Sequence, residues 1–308
     1  MPSLSVARAS NAAFHPSFVP VMVITGATSG IGKAMTDIIA RQLNGRIHIV
    51  LVARNKAAAD KIIASLPPAQ PSDQGATYEF IPCDLTLMKN VHALAKDLSA
   101  RLPKINYLVH SAGVFGLRGR EDTEEGIDRK LASRYYARFV LTYDLLPLLH
   151  KAKDLGEPAS VLSILGAGMG PEVIVDDLGL KKNYGGLKAM LQSLSYNDLM
   201  VAEFARREPD IAFTHIYPGN VDTEALIFSN PIARFFSLFL RPLIWLITVT
   251  PEECAQYMVF ALLDAEKGVY RRSKKGDDIG MKAFPKAKDA QRLLWEHSLE
   301  ETGVESWL

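Results

Sequence analysis

Cysteine is scarce: Cys83 and Cys254 are the only two in 308 residues. Two cysteines cannot build a disulfide framework or a cysteine-based zinc centre, so no metal site is expected. They fit a reducing, cytoplasmic setting. An excess of one charge is missing as well. The 35 Lys and Arg face 34 Asp and Glu, which leaves a formal net charge of +1. Without a basic excess there is no electrostatic footprint for a nucleic-acid partner. Residues 1–18 lack the continuous apolar stretch of a signal peptide, because Arg8, Asn11, His15 and Pro16 interrupt them. No transmembrane segment is expected either. The most apolar region, 227–249, is cut by Pro231, Arg234, Arg241 and Pro242, whereas a spanning helix wants about 20 apolar residues with few charges. Its cluster of Phe235, Phe236, Phe239, Leu240 and Trp245 predicts instead a lid, about 224–249, over an apolar substrate. Peripheral contact with a membrane surface is the other reading. Repeats, low-complexity tracts and composition shifts are also absent, so a single domain is expected over 1–308.

What is present is a globular composition, 48% hydrophobic and 22% charged, which excludes a disordered or fibrous chain. Short apolar runs alternate with helical patterns from about residue 20. Strands are predicted at 19–25, 47–52, 78–82, 105–109, 160–165 and 211–217. Helices are predicted at 31–43, 56–66, 87–102 and 124–150, before 211, at 252–263 and around 287–299. Strands apolar throughout, separated by helices, predict a parallel sheet buried on both faces. Right-handed crossovers put helices on each side, which is the doubly wound α/β class. The core is expected over about 20–265, with a helical extension over 265–308.

Thr25-Gly26-Ala27-Thr28-Ser29-Gly30-Ile31-Gly32 follows the first strand and opens the first helix. Gly26 permits a tight turn, Gly30 a close approach to a pyrophosphate, and Gly32 close packing of helix on strand. The N–H groups and partial positive charge of the helix N-terminus favour phosphates. Ala53-Arg54-Asn55 ends the second strand. An acidic residue there would repel a 2′-phosphate, whereas a guanidinium forms a charge-assisted fork with one. NADP(H), held through Arg54 and Asn55, is therefore predicted.

As a set, these and the following motifs resemble the short-chain dehydrogenase/reductase family over about residues 20–265. TGATSGIG resembles its TGxxxGxG signature. Asp84 and Leu85 follow the third strand, where the family holds the adenine. His110-Ser111-Ala112-Gly113 resembles NNAG. Pro218, Gly219, Val221 and Thr223 resemble PGxVxT, which flanks the nicotinamide, and Thr250-Pro251-Glu252-Glu253 resembles the start of TPEEGA. Ser133-Arg134-Tyr135-Tyr136-Ala137-Arg138 and Leu294-Trp295-Glu296-His297 are similar to a fungal branch found with natural-product pathways. The resemblance implies a Rossmann fold, an oxidoreductase acting on an apolar carbonyl or alcohol, and a homodimer.

The family's tetrad of Asn, Ser, Tyr and Lys is incomplete here. Arg134 stands at the Asn position. It can bind an oxyanion or carboxylate, or pair with Asp128 or Glu125. The place of Ser falls on Leu165 or Gly166, with Ser163 two residues earlier as a displaced substitute. Tyr184-Gly185-Gly186-Leu187-Lys188 has YxxxK spacing, which on a helix puts both side chains on one face. The resemblance makes Tyr184 the general acid and Lys188 the group that lowers its pKa. Counting back from Glu203-Phe204-Ala205 puts Met190 and Leu194 at those positions instead. A non-helical start at Gly185-Gly186 would repair the register. Three activities stay open: redox chemistry, a non-redox cyclisation or isomerisation using Arg134, and a non-catalytic cofactor-binding scaffold.

Overall fold

In a computed structural model, residues 1–70, 73–222 and 248–304 are described. The apolar runs become parallel strands of one sheet: β1 (Val21–Thr25), β2 (His48–Ala53), β3 (Thr77–Pro82), β4 (Tyr107–His110), β5 (Ser160–Ile164), β6 (Ala212–Ile216) and β7 (Gly268–Arg272). Their order is β3-β2-β1-β4-β5-β6-β7. Strand side chains alternate between faces. Met22 and Ile24 of β1 therefore enter one core while Val21 and Val23 enter the other. The first core is closed by α1 (Leu4–Ala12), α2 (Gly30–Gln42), α3 (Lys56–Ser65) and α8 (Pro251–Leu263). The second is closed by α4 (Met88–Arg101), α6 (Ala137–Asp154), α7 (Gly186–Arg207) and α9 (Ala290–Thr302). This is the doubly wound sheet expected from the strand pattern. Its order reverses between β1 and β4, which opens a crevice at their carboxyl ends.

Several elements differ from the sequence expectation. The helix predicted from 124 begins at α5 (Arg129–Leu131), where Asp128 accepts from the Lys130 and Leu131 amides. Glu125 lies outside that helix and caps another, its carboxylate accepting from the Met88 and Lys89 amides of α4. A π turn, Ala132–Tyr136, then joins α5 to α6. The 265–308 region is more than a helical extension, since β7 completes the sheet. Gly-Val-Tyr-Arg-Arg hides a strand because its two arginines are buried only by virtue of partners: Asp198 for Arg271 and Asp264 for Arg272. Thr223 and nearly all of the expected lid lie outside the described residues. No helix among the described residues is long and apolar enough to cross a membrane.

Candidate active site

A cleft of about 760 Å3 opens over the carboxyl ends of the central strands. Gly26, Thr28, Ser29, Gly30 and Ile31 form its middle. Arg54, Asn55, Asp84 and Leu85 line it on the β2–β3 side, and Ser111, Ala112 and Gly113 on the β4 side. The glycine spacing has a steric cause. Gly26 has φ +71°, and a Cβ on it would lie 2.7 Å from the Ala112 amide nitrogen. A Cβ on Gly32 would lie 2.5 Å from the Gly26 carbonyl oxygen. No side chain caps α2, and its first turn holds no acidic residue. By contrast, Asn55 caps α3 through the Ala58 amide. The α2 N-terminus thus keeps donors for an anion.

The electrostatics vary along the cleft. Burial works against ionisation of Asp84. Bonds from the Thr86 amide and hydroxyl, with the charges of Arg54 and Arg129, outweigh it and hold the carboxyl below its usual range. Lys56 also lines the cleft, beside Arg54. Sequence reasoning missed it, although its adjacency to Arg54 was the available signal. Other motif residues sit behind the wall. Thr25 is buried and its hydroxyl donates to the Val109 carbonyl at 3.4 Å. The Pro218 carbonyl accepts from the Cys254 thiol at 3.4 Å. Gly219 and Val221 do not line the cleft, and Val221 bridges to Val249.

None of the four candidate catalytic residues lines the cleft, and Arg134 packs beside Gly113, which does. Arg134 Nε donates to Ser193 Oγ at 3.0 Å. The ion pair with Asp128 or Glu125 is not made. Asp128 caps α5 and lies 4.0 Å from Lys130 Nζ, while Glu125 caps α4. Ser163 is fully buried. It accepts from Arg138 Nη1 at 2.7 Å and donates to Asn197 Oδ1 at 2.7 Å. Its hydroxyl therefore serves an internal network. At the Ser register position, the Gly166 amide donates to His215 Nε2 at 3.0 Å.

Tyr184 precedes Gly185, the N-cap of α7, so helical spacing does not align it with Lys188. Its ring packs against Arg120 and Lys130, 5.7 and 5.6 Å from its centroid. Burial, followed by the nearby Asp128 carboxylate, raises the phenol pKa. Lys188 Nζ donates to the Asn183 carbonyl at 3.0 Å. The α7 helix starts at Gly186 and carries Met190, which is buried, and Leu194, whose methyls pack against Gly166.

Comparison with known proteins gives a consistent result. A family model described as "short chain dehydrogenase" matches residues 20–231, more than half of the chain. The chain is 32% identical over 245 residues to "Oxidoreductase AN1596" of Emericella nidulans, covering 80% of this chain and 71% of that protein. It is 31% identical over 306 residues to "Polyprenol dehydrogenase" of Mus musculus, covering 94% and 88%. Among solved structures, an NADPH-bound carbonyl reductase from chicken fatty liver superposes with a TM-score of 0.59 at 18% identity. That match covers 85% of this chain and 99% of the reductase, and at such identity it shows the fold alone.

Proposed function

The chain belongs to the short-chain dehydrogenase family, and from that premise we propose an NADP(H)-dependent oxidoreductase acting on an apolar carbonyl compound or alcohol. The observation that carries this reading is the uncapped α2 N-terminus opening into a cleft that holds Arg54 and Lys56 at its β2 side. The α2 amides would take the pyrophosphate, and Arg54 with Asn55 and Lys56 the 2′-phosphate. Asp84 and Leu85 would face the adenine, and Ser111 to Gly113 the nicotinamide half. When bound, the cofactor supplies or accepts the hydride. The protein then has to orient the substrate oxygen and move one proton. Tyr184, the phenol of the YxxxK motif, is assigned that proton; burial and Asp128 raise its pKa, which keeps it protonated but weakens it as an acid. Lys188 supports the Tyr184 turn through Asn183, and Arg134 binds an anionic oxygen of the substrate. Ser163 acts through Arg138 rather than on substrate.

An apolar substrate is supported by the likeness to a polyprenol dehydrogenase and by the apolar composition of residues 227–249. A place in fungal natural-product chemistry is supported by the fungal relative. The second reading, a non-redox isomerisation or cyclisation, is favoured by one observation: Arg134 approaches the cleft while Tyr184 and Lys188 do not line it. Titration of NADPH and NADH against wild type and Arg54→Asp tests the cofactor assignment. Wild type is expected to prefer NADPH by about tenfold or more, the worth of a charge-assisted bond. Arg54→Asp should erase or reverse that preference. Equal affinities, unchanged by the substitution, would remove it.

A further inference from the structure

Six Lys and Arg side chains among the described residues are no more than 9% exposed: Lys104, Lys130, Arg134, Arg138, Arg271 and Arg272. Four have a carboxylate partner: Glu157 for Lys104, Asp128 for Lys130, Asp198 for Arg271 and Asp264 for Arg272. Arg134 and Arg138 have none. Both crowd one glycine. The position a Cβ on Gly113 would take is 3.8 Å from Arg134 Nη1 and 3.8 Å from Arg138 Nη2.

The two guanidinium groups are held differently. Arg138 Nη1 donates to Ser163 Oγ and the Ile164 carbonyl, and its Nη2 donates to the Ala112 carbonyl. All three acceptors are neutral, so Arg138 is a fixed buried charge with no counter-ion. Arg134 is tied through Nε alone, to Ser193. Its two terminal nitrogens donate to no group among the described residues, and Nη1 lies beside Gly113, which lines the cleft with Val114 and Ser133. Burial pulls Arg134 down to about 10. Burial, with Arg134's charge second, pulls Arg138 down to about 9. Both remain protonated at neutral pH. Two like charges in a poorly solvated site destabilise each other, and one anion between them and the cleft relieves both. The ADP-ribose phosphates are not that anion in the proposed arrangement, since the α2 N-terminus and Arg54 receive them.

We propose that Arg134, backed by Arg138, is a carboxylate-binding subsite, so that the otherwise apolar substrate carries a carboxylate that docks on the Arg134 fork beside Gly113. A planar guanidinium with two uncommitted nitrogens matches a carboxylate bidentately. The position of this subsite next to the reacting end of the cleft rests on the oxidoreductase reading, whereas its preference for an anion rests on the two unpaired arginines.

The test is calorimetric titration of the full chain with cinnamate and with its neutral isostere cinnamamide, with and without NADPH. Wild type, Arg134→Lys and Arg134→Met are compared, and NADPH affinity is measured separately by fluorescence for each. Cinnamate should bind wild type more tightly than cinnamamide by about 10- to 150-fold, the range for a hydrogen bond to a charged group. Arg134→Met should remove that difference and Arg134→Lys should keep part of it. The Arg134→Met protein should also melt at or above the wild-type temperature, because an unpaired buried charge has gone. Equal affinity of the two probes for wild type would overturn the proposal. So would cinnamate selectivity that survives Arg134→Met, or an Arg134→Met protein that melts well below wild type. If NADPH binds none of the proteins, the oxidoreductase reading fails, while the cofactor-free cinnamate comparison still decides the subsite.

Discussion

Asp198 is 1% exposed, and its two carboxylate oxygens are fully engaged. Oδ1 accepts from His215 Nδ1 at 2.6 Å and from Arg271 Nε at 2.9 Å, while Oδ2 accepts from Arg271 Nη2 at 2.7 Å. Burial opposes ionisation, but His215 and Arg271 overcome it and hold the carboxyl at about 2. An unfolded Asp titrates near 3.9. The folded value is the lower one, so this stabilisation is complete above about pH 4 and is lost as pH falls toward 2. Asp198→Asn leaves Arg271 buried without its counter-charge and should cost about 3–5 kcal/mol. Urea denaturation at pH 7 checks the loss, and a shallower stability slope between pH 4 and 2 checks the cause. None of this network was legible in the sequence, because its members lie on α7, β6 and β7 and meet only in three dimensions. The phosphate loop was legible for the opposite reason. Gly32 answers a steric demand set by Gly26 six residues earlier, and Gly26 takes a positive φ within the turn itself, so their spacing carries the geometry even though Ala112 also crowds Gly26. Arg134 was read as an anion binder or an ion-pair member. Only the fold shows that Asp128 and Glu125 are committed to helix caps.

At the scale of elements, the strands with continuous apolar faces were all readable, and the one that was missed has a polar sequence. β7 shows two arginines where a buried strand is expected to show aliphatics, and its burial depends on carboxylates far away in sequence. The sequence leaves the start of α7 open between two readings, and the non-helical start at Gly185-Gly186 is the one that forms. YxxxK implies a shared face only within a helix, and Tyr184 stands before the Gly185 cap. The geometry therefore separates the two residues' roles. If Tyr184 donates the proton, Tyr184→Phe should lower kcat by about 10² to 10⁴-fold, the usual range for a positioned general acid. Lys188→Met should act less, through the Asn183 turn, because Lys188 Nζ is bonded to that carbonyl. Steady-state kinetics on one carbonyl substrate reads both. A Tyr184→Phe enzyme within about twofold of wild type, well below that range, would pass the proton to another group and bring the Arg134-centred non-redox reading forward.

For the whole molecule, the question is what α9 covers. In the second core Trp295 is 4% exposed, with ring centroids 5.1 Å from Phe139 of α6 and 4.9 Å from Phe204 of α7. The Arg207 guanidinium lies 4.1 Å over its ring. The hydroxyl of Tyr135, in the π turn, is 2.7 Å from that of Ser298. The family resemblance implied a homodimer. In the fold, α9 already occupies apolar surface of α6 and α7, so a second copy has less there to bury. A stable dimer interface needs roughly 800 Å2 per partner. We therefore expect sedimentation to give the mass of one chain. Trp295→Ala removes the largest side chain in this contact and should destabilise the protein by about 3–5 kcal/mol, the range for a buried aromatic truncated to Ala. Such a loss reaches the π turn that carries Arg134, because α9 and that turn share the Tyr135–Ser298 bond. The Arg134 subsite should then loosen before the phosphate loop does. On approach to melting, Trp295→Ala should lose cinnamate binding at a lower temperature than NADPH binding. Simultaneous loss of both would mean that α9 supports the whole sheet rather than the Arg134 side of the cleft.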